Sequence, residues 1–202
     1  MLICITGIDG CGKSTHVGLL VDALEKEGFN VFVSKAYGEE EKEKLSKLFE
    51  IWDSITITFV FQGLYRQQFV EAKKALLQGK IVIADRWDDP YLAYHSQFGF
   101  LSQDQELRER LNQIVFEGVI PDLTFFLNVP LYEAELRIQK RGKDFFDDQG
   151  REYHHKMAEA YLRIAEMRKW IVVNADQEMK IVHDQILKIT KEKLETQTGF
   201  FK

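Results

Sequence analysis

A chain that opens with Leu2-Ile3-Cys4-Ile5-Thr6 and runs straight into Gly7-Ile8-Asp9-Gly10-Cys11-Gly12-Lys13-Ser14 has few ways to fold. The first five residues form a short, apolar, β-branched run, the composition of a buried strand. The next eight satisfy G-x-x-x-x-G-K-[ST]. Val17, Leu20, Val21 and Leu24 then recur at spacings of three and four, and Gly28 follows where a helix ends on a glycine. Strand, glycine loop and helix in that order are the context in which the pattern is a phosphate cradle. Glycines let the backbone wrap closely with its N–H groups inward, and the helix N-terminus favours negative charge. Gly7 through Thr15 thus surround the phosphates of a nucleoside triphosphate, with Lys13 placed for the β and γ phosphates and the Ser14 hydroxyl for Mg²⁺. Cys11 reads as a small filler rather than a reactive thiol.

Four more short apolar runs follow, at 30–34, 80–84, 123–127 and 170–174, separated by stretches of helical period at 55–78, 104–116, 131–140, 153–167 and 179–194. Strands alternating with helices predict a three-layer α/β domain, a five-stranded parallel sheet with right-handed crossovers and helices on both faces. No repeat or Pro-rich linker divides the 202 residues, so a single domain, 1–202, is expected. The formal net charge is −5 with no Lys/Arg block, which lacks the footprint of a protein that binds a nucleic-acid polymer. Cys4 and Cys11 are too few for a disulfide framework and fit a reducing cytoplasm. No basic, apolar leader and no run approaching about 18 residues suggests secretion or a membrane span. The tail beyond 195 is expected to be disordered.

A second constellation is Ile81-Val82-Ile83-Ala84-Asp85-Arg86-Trp87. An apolar strand ending in a carboxylate places that group at the C-terminal edge of the sheet, where ligands of open α/β folds bind. Asp85 either holds Mg²⁺ through water or acts near the acceptor. Arg86 offers an anion a bidentate fork that lysine lacks. His154-His155 is not read as a metal site, because adjacent helical residues point roughly 100° apart.

With these residues in place, the chain resembles the thymidylate kinase (dTMP kinase) family of P-loop nucleoside monophosphate kinases. GIDGCGKST is similar to the family's phosphate loop, with an acidic residue at its third position. GKIVIADRW with DDPYLAYHS, PDLTFFLNVP with EAELRIQKRGKD, and WIVVNADQEMKIVHDQI resemble three further family segments in the family's order. The resemblance implies a P-loop NTPase fold with a small lid at about 141–152, and transfer of the ATP γ-phosphoryl group to dTMP, with Mg²⁺. It implies that Asp9 reaches the acceptor sugar, Arg86 holds the acceptor phosphate and Tyr94 stacks on the deoxyribose. Arg66 would contact the thymine edge, with Phe61 or Phe59 stacking on the base, while Lys35 and His95 border the acceptor. Arg137, Ala175 and Asp176 fall on the ATP side, and a homodimer is implied.

Several positions depart from the family pattern. Lys35-Ala36-Tyr37-Gly38, followed by the acidic run EEEKEK, stands in place of an Arg-Glu-Pro-Gly type turn. Gln62, not Phe, lies four residues before Arg66. Pro90 and Tyr91 replace small serines, His95 a glutamine and Asn128 an aspartate. Gly10 stands where some relatives carry an arginine. The charge on the transferring phosphoryl group then falls to the lid arginines Arg137, Arg141 and Arg151, of which Arg141 is taken as catalytic beside Lys13. Two other functions stay open: a deoxynucleoside kinase or kinase for another nucleotide, and a non-catalytic P-loop nucleotide-binding regulator.

Overall fold

Strands that are apolar at successive positions must be covered on both sides, which draws helices onto both faces of the sheet. The computed structural model describes residues 1–141 and 149–198. Its strands are β1 Leu2–Thr6, β2 Val31–Ser34, β3 Ile81–Asp85, β4 Leu123–Asn128 and β5 Ile171–Asn174. They form one parallel sheet in the order β2-β3-β1-β4-β5. The helices are α1 Lys13–Lys26, α2 Glu39–Phe49, α3 Ser54–Leu77, α4 Asp89–His95, α5 Gln105–Phe116, α6 Leu131–Arg141, α7 Arg151–Met167 and α8 Met179–Thr198. The expected three-layer α/β architecture is observed.

The alternation along β1 sorts the layers. Ile3 and Ile5 face one side, packing with Leu20 and Leu24 of α1 and Ile186 of α8. Leu2 and Cys4 face the other, with Tyr65, Phe69 and Ala72 of α3 and Phe116 of α5. Tyr161 and Ala165 of α7 cover Phe126 of β4. Each large apolar side chain so buried contributes roughly 1.5–3 kcal/mol. Local signals set the helix ends. Gly28 takes φ 87, and the next N–H, of Phe29, donates back to Leu24 at 3.1 Å, closing α1. The Asp53 carboxylate accepts from the N–H groups of Ile55 and Thr56, both at 2.8 Å, and starts α3.

Two elements differ from the sequence reading. The acidic run lies in none of the stretches of helical period named above, yet it opens α2, which continues through the buried Phe49 that anchors it. The short α4, opened by Pro90 in its first turn, was not expected. Strand register brings the two key loops together. β1 lies between β3 and β4, with Ile5 opposite both Asp85 and Phe125. Whatever leaves the C-terminal end of β1 therefore meets whatever leaves β3.

Candidate active site

The loop after β1 turns through Gly10 and Gly12 at φ 79 and φ 99, left-handed values that favour glycine. A Cβ on Gly10 would come within 3.0 Å of the Ala134 backbone carbon atoms and closer still to its carbonyl oxygen. No side chain fits there, which agrees with the absence of an arginine at this position. Lys13 Nζ donates to the Ile8 carbonyl at 3.0 Å and lies 3.6 Å from the Asp9 carboxylate. Ser14 Oγ donates to Asp85 Oδ2 at 2.8 Å. A hydroxyl from α1 and a carboxylate from β3 are thus side by side, hard oxygen donors that suit Mg²⁺.

Arg86 follows β3. Its N–H continues the ladder to the Ile5 carbonyl at 3.1 Å, but its φ is 68. A non-glycine residue in this region costs roughly 1–2 kcal/mol. The turn sends the guanidinium back over β1, where Nη1 donates to the Gly7 carbonyl at 2.7 Å and Nη2 to Asp9 Oδ1 at 2.7 Å. Nη1 also donates to the Tyr161 hydroxyl, and that hydroxyl donates on to Asp89 Oδ2 at 3.2 Å. Asp89 is buried and further accepts from the Thr6 hydroxyl and, at 2.7 Å, from the Trp87 N–H. Burial raises its pKa, while Arg86 and these donors act in the opposite direction. Tyr161 and Asp89 were missed by sequence reasoning. Tyr161 sits inside the ordinary apolar period of α7, and nothing in that period singles it out.

The phosphate loop and Arg86 open onto one cavity of about 680 Å³. Ile8, Asp9, Gly10, Gly12, Lys13, Ser14 and Thr15 line it, together with Lys35, Phe61, Tyr94, His95 and Arg137. Gly7 and Cys11 do not reach its surface, and Cys11 is buried beneath the loop. Tyr65 and Gln68 of α3 and Tyr153 of α7 also line it, unanticipated. Burial pushes the His95 imidazole down to about 4, so it is neutral near pH 7. Arg137 Nη2 donates to the Ala175 carbonyl at 3.1 Å, joining α6 to the loop after β5. In that loop the Asp176 N–H donates to Asn174 Oδ1 at 3.0 Å. Ala175 and Asp176 adjoin the cavity through Arg137 rather than lining it.

Arg66 is a correction. It does not line the cavity. Its guanidinium donates to the Val115 carbonyl at 3.0 Å and pairs with Glu117 at 2.9 Å, capping the C-terminal end of α5. Of the two candidate stacking rings, Phe61 lines the cavity and Phe59 is 56% exposed beside Phe100. The Arg141 side chain and residues 142–148, most of the expected lid, lie outside the described residues, as do 199–202.

A protein-family model described as Thymidylate kinase matches residues 5–186, which takes in every element just described except the ends of the chain. The chain belongs to the thymidylate kinase family. Among its relatives, the thymidylate kinase of Coprothermobacter proteolyticus is 33% identical over 196 residues, covering 95% of this chain and 99% of that one. Those of Caldanaerobacter subterraneus subsp. tengcongensis and Fervidobacterium nodosum are each 32% identical. They cover 95% of both chains, and 94% of this chain with 98% of the relative, respectively. Among the described residues no helix is long and apolar enough to cross a membrane. Nor do they hold a group of three or more His, Cys, Asp or Glu arranged for a metal.

Proposed function

We propose that this chain transfers the γ-phosphoryl group of ATP to the 5′-phosphate of dTMP, giving ADP and dTDP. One observation carries the reading: a phosphate cradle and an arginine-bearing aromatic pocket share one cavity, joined by the 2.7 Å ion pair between Asp9 and Arg86. Phosphoryl transfer to an acceptor that is already a phosphate needs alignment and charge neutralisation rather than a strong base. Lys13 neutralises the β and γ phosphates, and Arg86 holds the acceptor phosphate opposite them. Ser14 and Asp85 hold the Mg²⁺ that accompanies ATP, which supplies charge neutralisation at the phosphates. Arg137 and the Ala175–Asp176 loop lie on the nucleotide side. Asp9, released in part from Arg86 by an incoming phosphate, turns to the acceptor sugar, over which Tyr94 stacks. Tyr161 keeps Arg86 aimed by bridging it to the buried Asp89.

The same reading has the chain act as one domain in the cytoplasm, as a homodimer. Ile55 and Phe59 of α3, Ile114 of α5 and Phe100, which precedes α5 and packs beside Phe59, are exposed apolar side chains, a surface that a second copy would cover. A coupled assay of ADP release over a panel of nucleosides and monophosphates tests the activity. dTMP should raise ADP release far above the ATPase background. Release driven by a nucleoside or by another monophosphate, with none for dTMP, would overturn it.

A further inference from the structure

With Arg66 turned toward α5, the acceptor pocket needs another reader for the edge of the base. The face of α3 that lines the cavity carries Phe61, Tyr65 and Gln68, at i, i+4 and i+7. Tyr65 is 7% exposed, and no hydrogen bond to its hydroxyl forms among the described residues. Tyr37, Arg86 and Tyr153, all of them cavity residues, act electrostatically on that hydroxyl, and burial keeps it protonated, a donor. Gln68 is 2% exposed. Its Nε2 donates to the Arg86 carbonyl at 2.9 Å, which fixes the orientation of the amide, and its Oε1 has no partner. A buried polar atom without a partner is uncommon and costly, so Gln68 Oε1 on this cavity wall, beside the phenol of Tyr65, points to a ligand.

We infer that Tyr65 and Gln68 read the imide edge of a pyrimidine acceptor: the Tyr65 O–H donates to a ring carbonyl, and Gln68 Oε1 accepts from the neighbouring ring N–H. Phe61 stacks on the base beside them. Thymine and uracil present that carbonyl and N–H pair. Cytosine presents an amino group and a bare ring nitrogen, so both contacts meet the wrong partner. The inference rests on the proposed thymidylate acceptor and deepens it, because this chain then selects its base with a neutral pair and no guanidinium. Gln68 also ties the two ends of the acceptor together, since its other end holds the backbone of the residue assigned to the phosphate.

The test compares the wild type, Tyr65→Phe and Arg66→Ala with dTMP, dUMP and dCMP as acceptors, alongside the KM for ATP. Tyr65→Phe removes one oxygen and keeps the ring. It should lower kcat/KM for dTMP and dUMP by about tenfold, leave the poor rate with dCMP and the KM for ATP unchanged, and so erode the selectivity. Arg66→Ala should leave the acceptor KM as it was. Unaltered dTMP kinetics in Tyr65→Phe, with an intact melting transition, overturn the base assignment alone, as does a raised dTMP KM in Arg66→Ala. A wild type that phosphorylates neither dTMP nor dUMP overturns the functional reading beneath it.

Discussion

Acidification from pH 7 to pH 5 should weaken this protein through His95, and glutamine at that position should remove the effect. The imidazole is 4% exposed at the end of α4, edge-on to Tyr91 and Tyr94 at 4.8 and 4.9 Å, with no partner for Nδ1. Burial, helped by Arg108, pushes its pKa from 6.5 to about 4, against a backbone hydrogen bond at Phe98. Arg108 is held in place by donating to the His95 carbonyl at 2.8 Å. Between these two pKa values the unfolded chain takes up a proton that the folded chain refuses, so acid favours unfolding. The contribution is present above 6.5 and is lost as the pH falls toward 4. The whole separation corresponds to about 3 kcal/mol, and about 2 kcal/mol of it is gone at pH 5. For a chain of this size, that lowers the melting temperature by about 4–8 °C. Thermal melts followed by circular dichroism at pH 7 and pH 5 should show the drop in the wild type, and a drop smaller by that amount in His95→Gln. Parallel losses in the two proteins would refute the argument, whatever the absolute stability of the variant.

Lys13→Ala should reduce transfer by roughly three orders of magnitude, because one preorganised cation is lost where charge develops. Its melting temperature should stay within a few degrees, and near-normal turnover in the ADP assay would remove Lys13 from the chemistry. Gly10→Ala adds a methyl group at φ 79 against the Ala134 backbone, so the loop must shift. The KM for ATP should rise by about tenfold or more, since displacement of a positioning group is felt strongly, and an unchanged value would mean the loop tolerates the methyl group. Asp88 is 4% exposed and accepts from Arg168 at 2.9 and 2.7 Å and from Asn112 at 3.0 Å. Asp88→Asn leaves the half-buried guanidinium without its counter-charge and should cost about 2 kcal/mol, read from the midpoint of urea unfolding. A midpoint equal to that of the wild type would count against any stabilising role for the pair.

Legibility in the sequence divides along the backbone. Asp9, Asp85 and Arg86 were legible because each follows or closes a strand, and parallel pairing brings strand ends to one edge whatever the side chains do. Ser14 meeting Asp85 and Asp9 meeting Arg86 result almost directly from β1 lying beside β3. Arg66 was misplaced for a different reason. It sits on a helix of 24 residues, and a position on a helix has meaning only once the rotation of that helix is known. α3 is apolar on more than one side, so its period does not say which side faces the sheet. Packing decides it: Phe69 and Ala72 are buried against the sheet, at 1% and 0% exposure. That rotation brings Phe61, Tyr65 and Gln68 to the cavity and carries Arg66, roughly 100° round from Tyr65, across to α5. The spacing of four that is missing before Arg66 runs instead from Phe61 to Tyr65, and both of these line the cavity. The phenylalanine absent four residues before Arg66 stands one residue earlier, an anomaly visible in the sequence, and its place on the cavity follows only once the core has fixed the angle of the helix.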